Sequence, residues 1–177
     1  MLALPLAKDC SNYDKNREQM RIFLQNQFKK LNISLESGNL DDIDTFLNIR
    51  SKAVNITELN ESECNNYLNY NYHVAAIAVR FDGYESEMNV KYVWNDAFTH
   101  RSISTGNILL DQGCVLWNIA ALHTLDACKI NRSTDEGSKS ASRLYQQSAG
   151  LFHFIKQNII SKINLSLIHI SEPTRPY

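Results

Sequence analysis

Ile108-Leu109-Leu110-Asp111-Gln112-Gly113-Cys114-Val115-Leu116-Trp117-Asn118-Ile119-Ala120-Ala121-Leu122-His123-Thr124-Leu125-Asp126-Ala127-Cys128-Lys129-Ile130 is the most apolar stretch of the chain. Apolar residues occupy most of its helical circumference, so the pattern predicts a central helix rather than one lying on a surface. After a break of about three residues, Ser133-x-x-Glu136 has the form of a capping box that opens a second helix. That helix presents Ala141, Leu144, Tyr145, Ser148, Leu151, Phe152, Ile155 and Ile159 on one side. So short a connection makes the two segments, 108–130 and 133–164, antiparallel neighbours with Trp117 and Phe152 inside. Small residues at Ala120, Ala121, Ala127, Ala141 and Ala149 let the two axes approach closely.

The preceding sequence adds helices and a little sheet. Tyr13 to Leu31 carries Met20, Phe23, Leu24, Gln27, Phe28 and Leu31 at spacings of three and four. Beyond Gly38, Asn39 is placed to cap a helix whose inner face is Leu40, Ile43, Phe46, Leu47 and Arg50. Asn60 with Glu63 marks another start, leading to a helix that buries Cys64, Tyr67, Leu68, Ala75, Ile77, Ala78 and Phe81 and ends at Asp82-Gly83. Asn89 to Trp94 alternates polar and apolar residues, reads as a strand, and finds its natural pairing partner in the apolar N-terminus. A sheet that small must lie against helices. The expected fold is mainly α, with helix hairpins stacked in a tetratricopeptide-like array and a small antiparallel β-sheet near the N-terminal end.

With 177 residues, 44% of them hydrophobic and 21% charged, the chain is globular in composition. Its formal net charge of -1 offers no basic field for nucleic acid. No apolar run approaches the roughly 20 residues that span a bilayer, so no transmembrane segment is expected. Met1 to Ala7 lacks a basic leader and runs into Lys8-Asp9, which favours a short strand over a signal peptide. Cys10, Cys64, Cys114 and Cys128 lie far apart with no CxxC pair, which points to reduced, packed thiols. The Asn-x-Ser/Thr triplets at Asn32, Asn55, Asn60, Asn131 and Asn164 are expected to stay unmodified without export.

No catalytic, cofactor-binding or metal-ligating constellation assembles from these residues. Cys114 and His123 on one helix lie about 13 Å apart along the axis, too far for a nucleophile and its base. His73, His100, His123, His153 and His169 follow no metal-ligand spacing, and no phosphate loop or His-Cys-x5-Arg signature occurs. Asp96 reads as a cap where the chain leaves its strand, not as a general acid. Of Tyr67, Tyr70 and Tyr72, the first is expected to pack and the others to lie partly at the surface. Trp94 and Trp117 are expected to anchor the core, and Asn118 to satisfy a nearby backbone group.

Four blocks in register resemble the BRO-one domain of ALIX-type endosomal sorting proteins. Trp94-Asn95-Asp96-Ala97-Phe98 is similar to its strand-ending element, and Cys114-Val115-Leu116-Trp117-Asn118-Ile119-Ala120-Ala121-Leu122 to its central helix. Asp135-Glu136-Gly137 resembles the next helix start, and Tyr145-Gln146-Gln147-Ser148-Ala149-Gly150-Leu151-Phe152, followed by Lys156, its continuation. Order and spacing agree across 67–158, with weaker agreement over 1–66. The short Phe98-to-Cys114 connection resembles the His-domain tyrosine phosphatase branch, and Leu122-His123-Thr124 resembles both that branch and rhophilin.

The resemblance implies a non-enzymatic, cytoplasmic, endosome-associated adaptor that receives the C-terminal helix of an ESCRT-III subunit, a charged multivesicular body protein, and reaches membranes through partners. In the family that helix docks largely on helices later than residue 164, so no contact residue carries over. The alternatives are the N-terminal part of a non-receptor tyrosine phosphatase and a rhophilin-like Rho signalling scaffold. Three departures stand out: Leu110-Asp111 in place of Tyr-Glu, Ser148 in place of alanine, and Asp126 where an apolar residue is usual. Leu165 to Arg175 reads as the translation of a sequencing-library adapter. The expected division is therefore 1–164 as the N-terminal portion of the domain and 165–177 as a non-native tail.

Overall fold

Helix α5 (Ile108–Lys129) runs through the middle of the protein and α6 (Asp135–Phe154) folds back along it. The computed structural model describes residues 4–30, 32, 37–55, 61–81 and 84–163. Ahead of this hairpin come β1 (Lys8–Asp9), α1 (Tyr13–Lys30), α2 (Ser37–Val54), α3 (Glu61–Arg80), the short α4 (Glu85–Met88), β2 (Tyr92–Asn95) and β3 (Ser102–Thr105). α6 continues into a wider π-type turn, Ile155–Ile160. The result is the expected mainly helical fold with a small antiparallel sheet. Residues 165–177 lie outside the described part.

The hairpin forms for the reasons its sequence suggests, with one shift in its turn. Asn107 caps α5 by accepting the Leu109 N–H at 2.8 Å, and Lys129 lies in the last turn, where a cation suits the helix dipole. α6 is capped by Thr134, whose hydroxyl accepts the Gly137 N–H at 3.1 Å. Ser133, the expected cap, instead gives its own N–H to Asn131 Oδ1 at 3.0 Å, an Asx turn that delays the helix by one residue. A Cβ on Gly137 would stand 1.8 Å from the Asn131 carbonyl oxygen, so only glycine permits this close approach. Ala120, Ala121 and Ala127 on α5 and Ala141 on α6 are buried, whereas Ala149 is exposed. Trp117 and Phe152 pack ring to ring at 4.9 Å, but both are only partly buried, at the margin of the hairpin rather than inside it.

By length and composition α5 alone among the described helices could cross a bilayer, yet 72% of its most apolar window is buried within the protein, as in a core helix. Asp126 is partly exposed and pairs with Lys129 at 3.0 Å, so no lone carboxylate is buried there.

The sheet has the order β1-β2-β3, antiparallel throughout. Its pairing to the N-terminal segment was expected at the apolar residues but falls at Lys8 and Asp9, opposite Asn95 and Trp94. The residues before them attach to α5 instead. Asn118 Nδ2 donates to the Ala7 carbonyl at 2.9 Å and its Oδ1 accepts the Ala7 N–H at 2.7 Å. Trp117 Nε1 donates to the Pro5 carbonyl, and the Leu4 N–H to Thr124 Oγ1. Asn118 thus satisfies backbone, as its place in an apolar helix predicts. Asn16 on α1 holds Lys91 in the same two-sided way, at 2.9 and 3.1 Å. The second strand begins at Tyr92 rather than Asn89, whose φ of 51° interrupts extended backbone.

Two helices differ in detail from the pattern. α2 starts at Ser37, so Asn39 lies inside it; helix ends read from local signals shift by a residue or two. α3 starts at Glu61, directly after Asn60, which lies outside the described residues, as do Asp82 and Gly83. On α3, Tyr67 and Tyr70 are both fully buried while Leu68 is 54% exposed, so Tyr70 belongs to the core and Leu68 does not. Trp94, 1% exposed, is the aromatic anchor between sheet and helices.

Candidate functional site: a buried polar lock beside an open groove

The most concentrated polar chemistry lies inside the protein, around Asp111. Its Oδ1 accepts from Arg50 Nη2 at 2.6 Å and Trp94 Nε1 at 2.8 Å, and its Oδ2 from Arg50 Nε at 2.9 Å and the Tyr70 hydroxyl. Arg50 also reaches Asp9 at 3.3 Å and lies 5.4 Å from the centre of the Tyr92 ring. One carboxylate with no solvent exposure therefore ties α2, α3, β2 and α5 together, and the guanidinium extends the tie to β1. An isolated carboxylate could not be buried at acceptable cost; a forked guanidinium and two further donors make it tolerable. Burial opposes the charge on Arg50, but the Asp111 carboxylate outweighs it and holds the guanidinium well above its ordinary value. Burial, then the Asp111 charge, pushes the Tyr70 and Tyr92 hydroxyls upward, so both stay neutral. With both Asp111 oxygens occupied and the side chain fully buried, this cluster ties the surrounding elements together.

The other polar candidates take modest roles. Cys114 lines an apolar cavity with Trp94, Leu110, Trp117 and Ile159, and burial pushes its thiol far above the ordinary range, which disfavours the nucleophilic thiolate. Cys10, Cys114 and Cys128 are free thiols. Asp96 Oδ1 accepts from the Thr99 N–H at 2.6 Å, the Thr99 hydroxyl at 2.8 Å and the Phe98 N–H at 3.0 Å, the predicted turn cap. Those bonds, the Thr99 N–H foremost, lower its pKa. His73, His100 and His153 are exposed, and His169 lies outside the described residues. His123 is half-buried, its Nδ1 without a partner, and burial lowers its pKa. Among the described residues no three His, Cys, Asp or Glu side chains gather where they could hold a metal ion.

The accessible feature is a groove. α3 and α6 flank α5, and the space between them is lined at one end by Leu68, Leu116, His123, Gln147 and Phe154. It continues past Phe154 to Ala75, Val79, Gln112, Asn158 and Lys162 at the other. Sequence reasoning missed this surface because it placed Leu68 in the core. The spacing of Tyr67, Tyr70 and Val74, at three and four, could have shown that the inner face of α3 turns away from Leu68.

The comparisons with known proteins agree with this architecture. The model of the BRO1-like domain matches residues 2–173. Programmed cell death 6-interacting protein of Xenopus laevis is 30% identical over 130 residues, which cover 69% of this chain and 15% of that protein. Vacuolar protein-sorting protein bro1 of Emericella nidulans is 31% identical over 93 residues, 51% of this chain and 9% of that one. Rhophilin-2 of Bos taurus is 27% identical over 117 residues, 66% of this chain and 17% of its own. Among solved structures, an ALIX BRO1 CHMP4C complex matches 92% of this chain and 47% of the ALIX chain, with a TM-score of 0.76 at 22% identity. A Bro1 domain solved as a basis for endosomal targeting matches 89% of this chain and 42% of its own, with a TM-score of 0.64 at 16% identity. The chain thus spans less than a fifth of these curated relatives and under half of these two solved chains. On its sequence and its fold alike, it belongs to the BRO1-like domain family.

Proposed function

We propose that the chain is the N-terminal portion of a BRO1 domain that serves as a non-catalytic adaptor in endosomal sorting, binding the C-terminal helix of an ESCRT-III subunit. The observation that carries this reading is the shared fold with an ALIX BRO1 domain that was solved together with CHMP4C. A vacuolar protein-sorting relative supports the same pathway. The chemistry is compatible: the polar cluster is sealed and fully paired, the thiol of Cys114 is held protonated, and stacked helices present surface instead. On this reading the protein works in the cytoplasm, reaches the endosomal membrane through its partners, and uses residues 1–164, with 165–177 a non-native tail.

A pull-down tests it. The domain, completed with its native continuation, is passed over the immobilised C-terminal helix of CHMP4C. Retention at micromolar concentrations is expected, and loss of retention when the apolar face of that helix is changed to aspartate. No retention of the folded domain would remove the adaptor reading.

A further inference from the structure

Where the sheet meets α5 and the π-type turn, the side chains leave a cavity of about 170 Å³. Its wall is drawn from the N-terminal segment at Ala7, from β2 and β3, from α5 and from the π-type turn with Ile163. The space is interior rather than an open face: Trp94, Ala97, Ile155, Ile159 and Ile163 in its wall are each no more than 8% exposed. Protein interiors pack as densely as organic crystals and contain few voids larger than a water molecule. Wider helical turns recur at functional sites, and three of the six residues in this one, Ile155, Ile159 and Ile160, line the cavity.

The chemistry of the wall decides what fits. A buried water needs about two to four polar partners, and the polar atoms around this cavity are largely engaged elsewhere. Trp94 Nε1 donates to Asp111, and Trp117 Nε1 to the Pro5 carbonyl. Asn95 Oδ1 accepts the Ser102 hydroxyl, and Asp96 Oδ1 holds three donors of its own turn. The Cys114 thiol is only a weak donor. The rest of the lining is apolar, dominated by two indole rings and five isoleucines. Size narrows the choice further, because an engineered apolar cavity of about 150 Å³ in another protein stays dry and binds benzene. Indole faces and a thiol sulfur favour a ring over an alkyl chain.

We propose that this cavity is a binding site for a small uncharged molecule built on a single aromatic ring. Such a guest touches the sheet, α5 and the π-type turn at once, so its binding braces the junction between them. The site is made of this chain's own residues and is independent of the adaptor reading.

The test is thermal unfolding and isoleucine-methyl NMR of the purified 177-residue chain, with benzene as the probe and benzoate as the charged control. Benzene near its solubility limit raises the melting temperature by about 2–4 °C, and benzoate leaves it unchanged. The methyl signals of Ile155, Ile159 and Ile163 move saturably with benzene, while that of Ile22, 46% exposed on α1, stays in place. Cys114→Leu adds two heavy atoms to the wall and removes the response to benzene. The domain completed with its native continuation responds as the chain does. Equal effects of benzene and benzoate, methyl shifts spread over all isoleucines, or a folded Cys114→Leu protein that still responds overturns the proposal. So does a completed domain that has lost the response, since residues beyond Ile163 would then occupy the space.

Discussion

Arg50 on α2 and Asp111 on α5, 61 residues apart in the chain, close a two-pronged ion pair at 2.9 and 2.6 Å with almost no solvent exposure on either side chain. The pair is the point at which sheet, early helices and central hairpin become one body, because Trp94, Tyr70 and Asp9 share it.

Breaking one half should therefore be worse than replacing both. Asp111→Ala leaves the buried Arg50 cation with only the longer Asp9 contact and leaves the Trp94 and Tyr70 donors without their acceptor, at a cost of about 3–5 kcal/mol, a large part of the roughly 5–15 kcal/mol that holds a typical domain. Arg50→Met combined with Asp111→Leu should lose clearly less than the two single changes summed. Urea unfolding of the four proteins measures this; simple additivity would mean the pair is not coupled as described.

Asn118 clamps both backbone groups of Ala7. Asn118→Leu should cost about 1–3 kcal/mol by leaving them unsatisfied, with the loss concentrated in the N-terminal segment. Hydrogen exchange of the Ala7 amide should accelerate markedly while amides in the middle of α5 keep their protection relative to global stability.

The two glycines of α6 should respond in opposite directions. Gly150→Ala meets open space and should stabilise by about 0.5–1 kcal/mol through helix propensity. Gly137→Ala forces its new methyl against the Asn131 carbonyl and should destabilise despite the same propensity gain. Thermal unfolding of both variants decides, and equal shifts would contradict the turn geometry.

Burial lowers the pKa of His123, so the folded protein favours its neutral form and the unfolded chain binds the extra proton first. Stability from this residue is present above the ordinary histidine value of 6.5 and is lost as pH falls from there toward the lower folded value. Asp44, lowered first by its bond from Arg17, and Asp96 act in a separate window, with stability lost only as pH falls below the ordinary carboxylate value of 3.8. Melting temperature between about pH 7.5 and 5.5 should fall on acidification, and His123→Leu should flatten that slope.

How much of this was legible beforehand depended on the range of the interaction. The α5–α6 hairpin was readable because its periodicity extends over many turns, and Asn118 because a polar residue in an apolar helix needs a partner. The cap shifted from Ser133 to Thr134, since two adjacent hydroxyl residues offer the same local signal and Asn131 chose between them. β3 went unseen because Ser102-Ile103-Ser104-Thr105 lies half in solvent and shows little apolar contrast. Tyr70 was placed near the surface because its partner, Asp111, is 41 residues away. The clue lay elsewhere: Arg50 on an apolar face requires a buried acid, and Asp111 sits within the most apolar helix.

The adaptor reading is tested most directly by calorimetric titration of the completed domain with the CHMP4C C-terminal helix. Saturable one-to-one binding with a dissociation constant in the micromolar range or tighter, abolished by aspartate on the helix's apolar face, is the predicted result. Absence of heat and of binding at about millimolar peptide, with the domain shown to be folded, would contradict it.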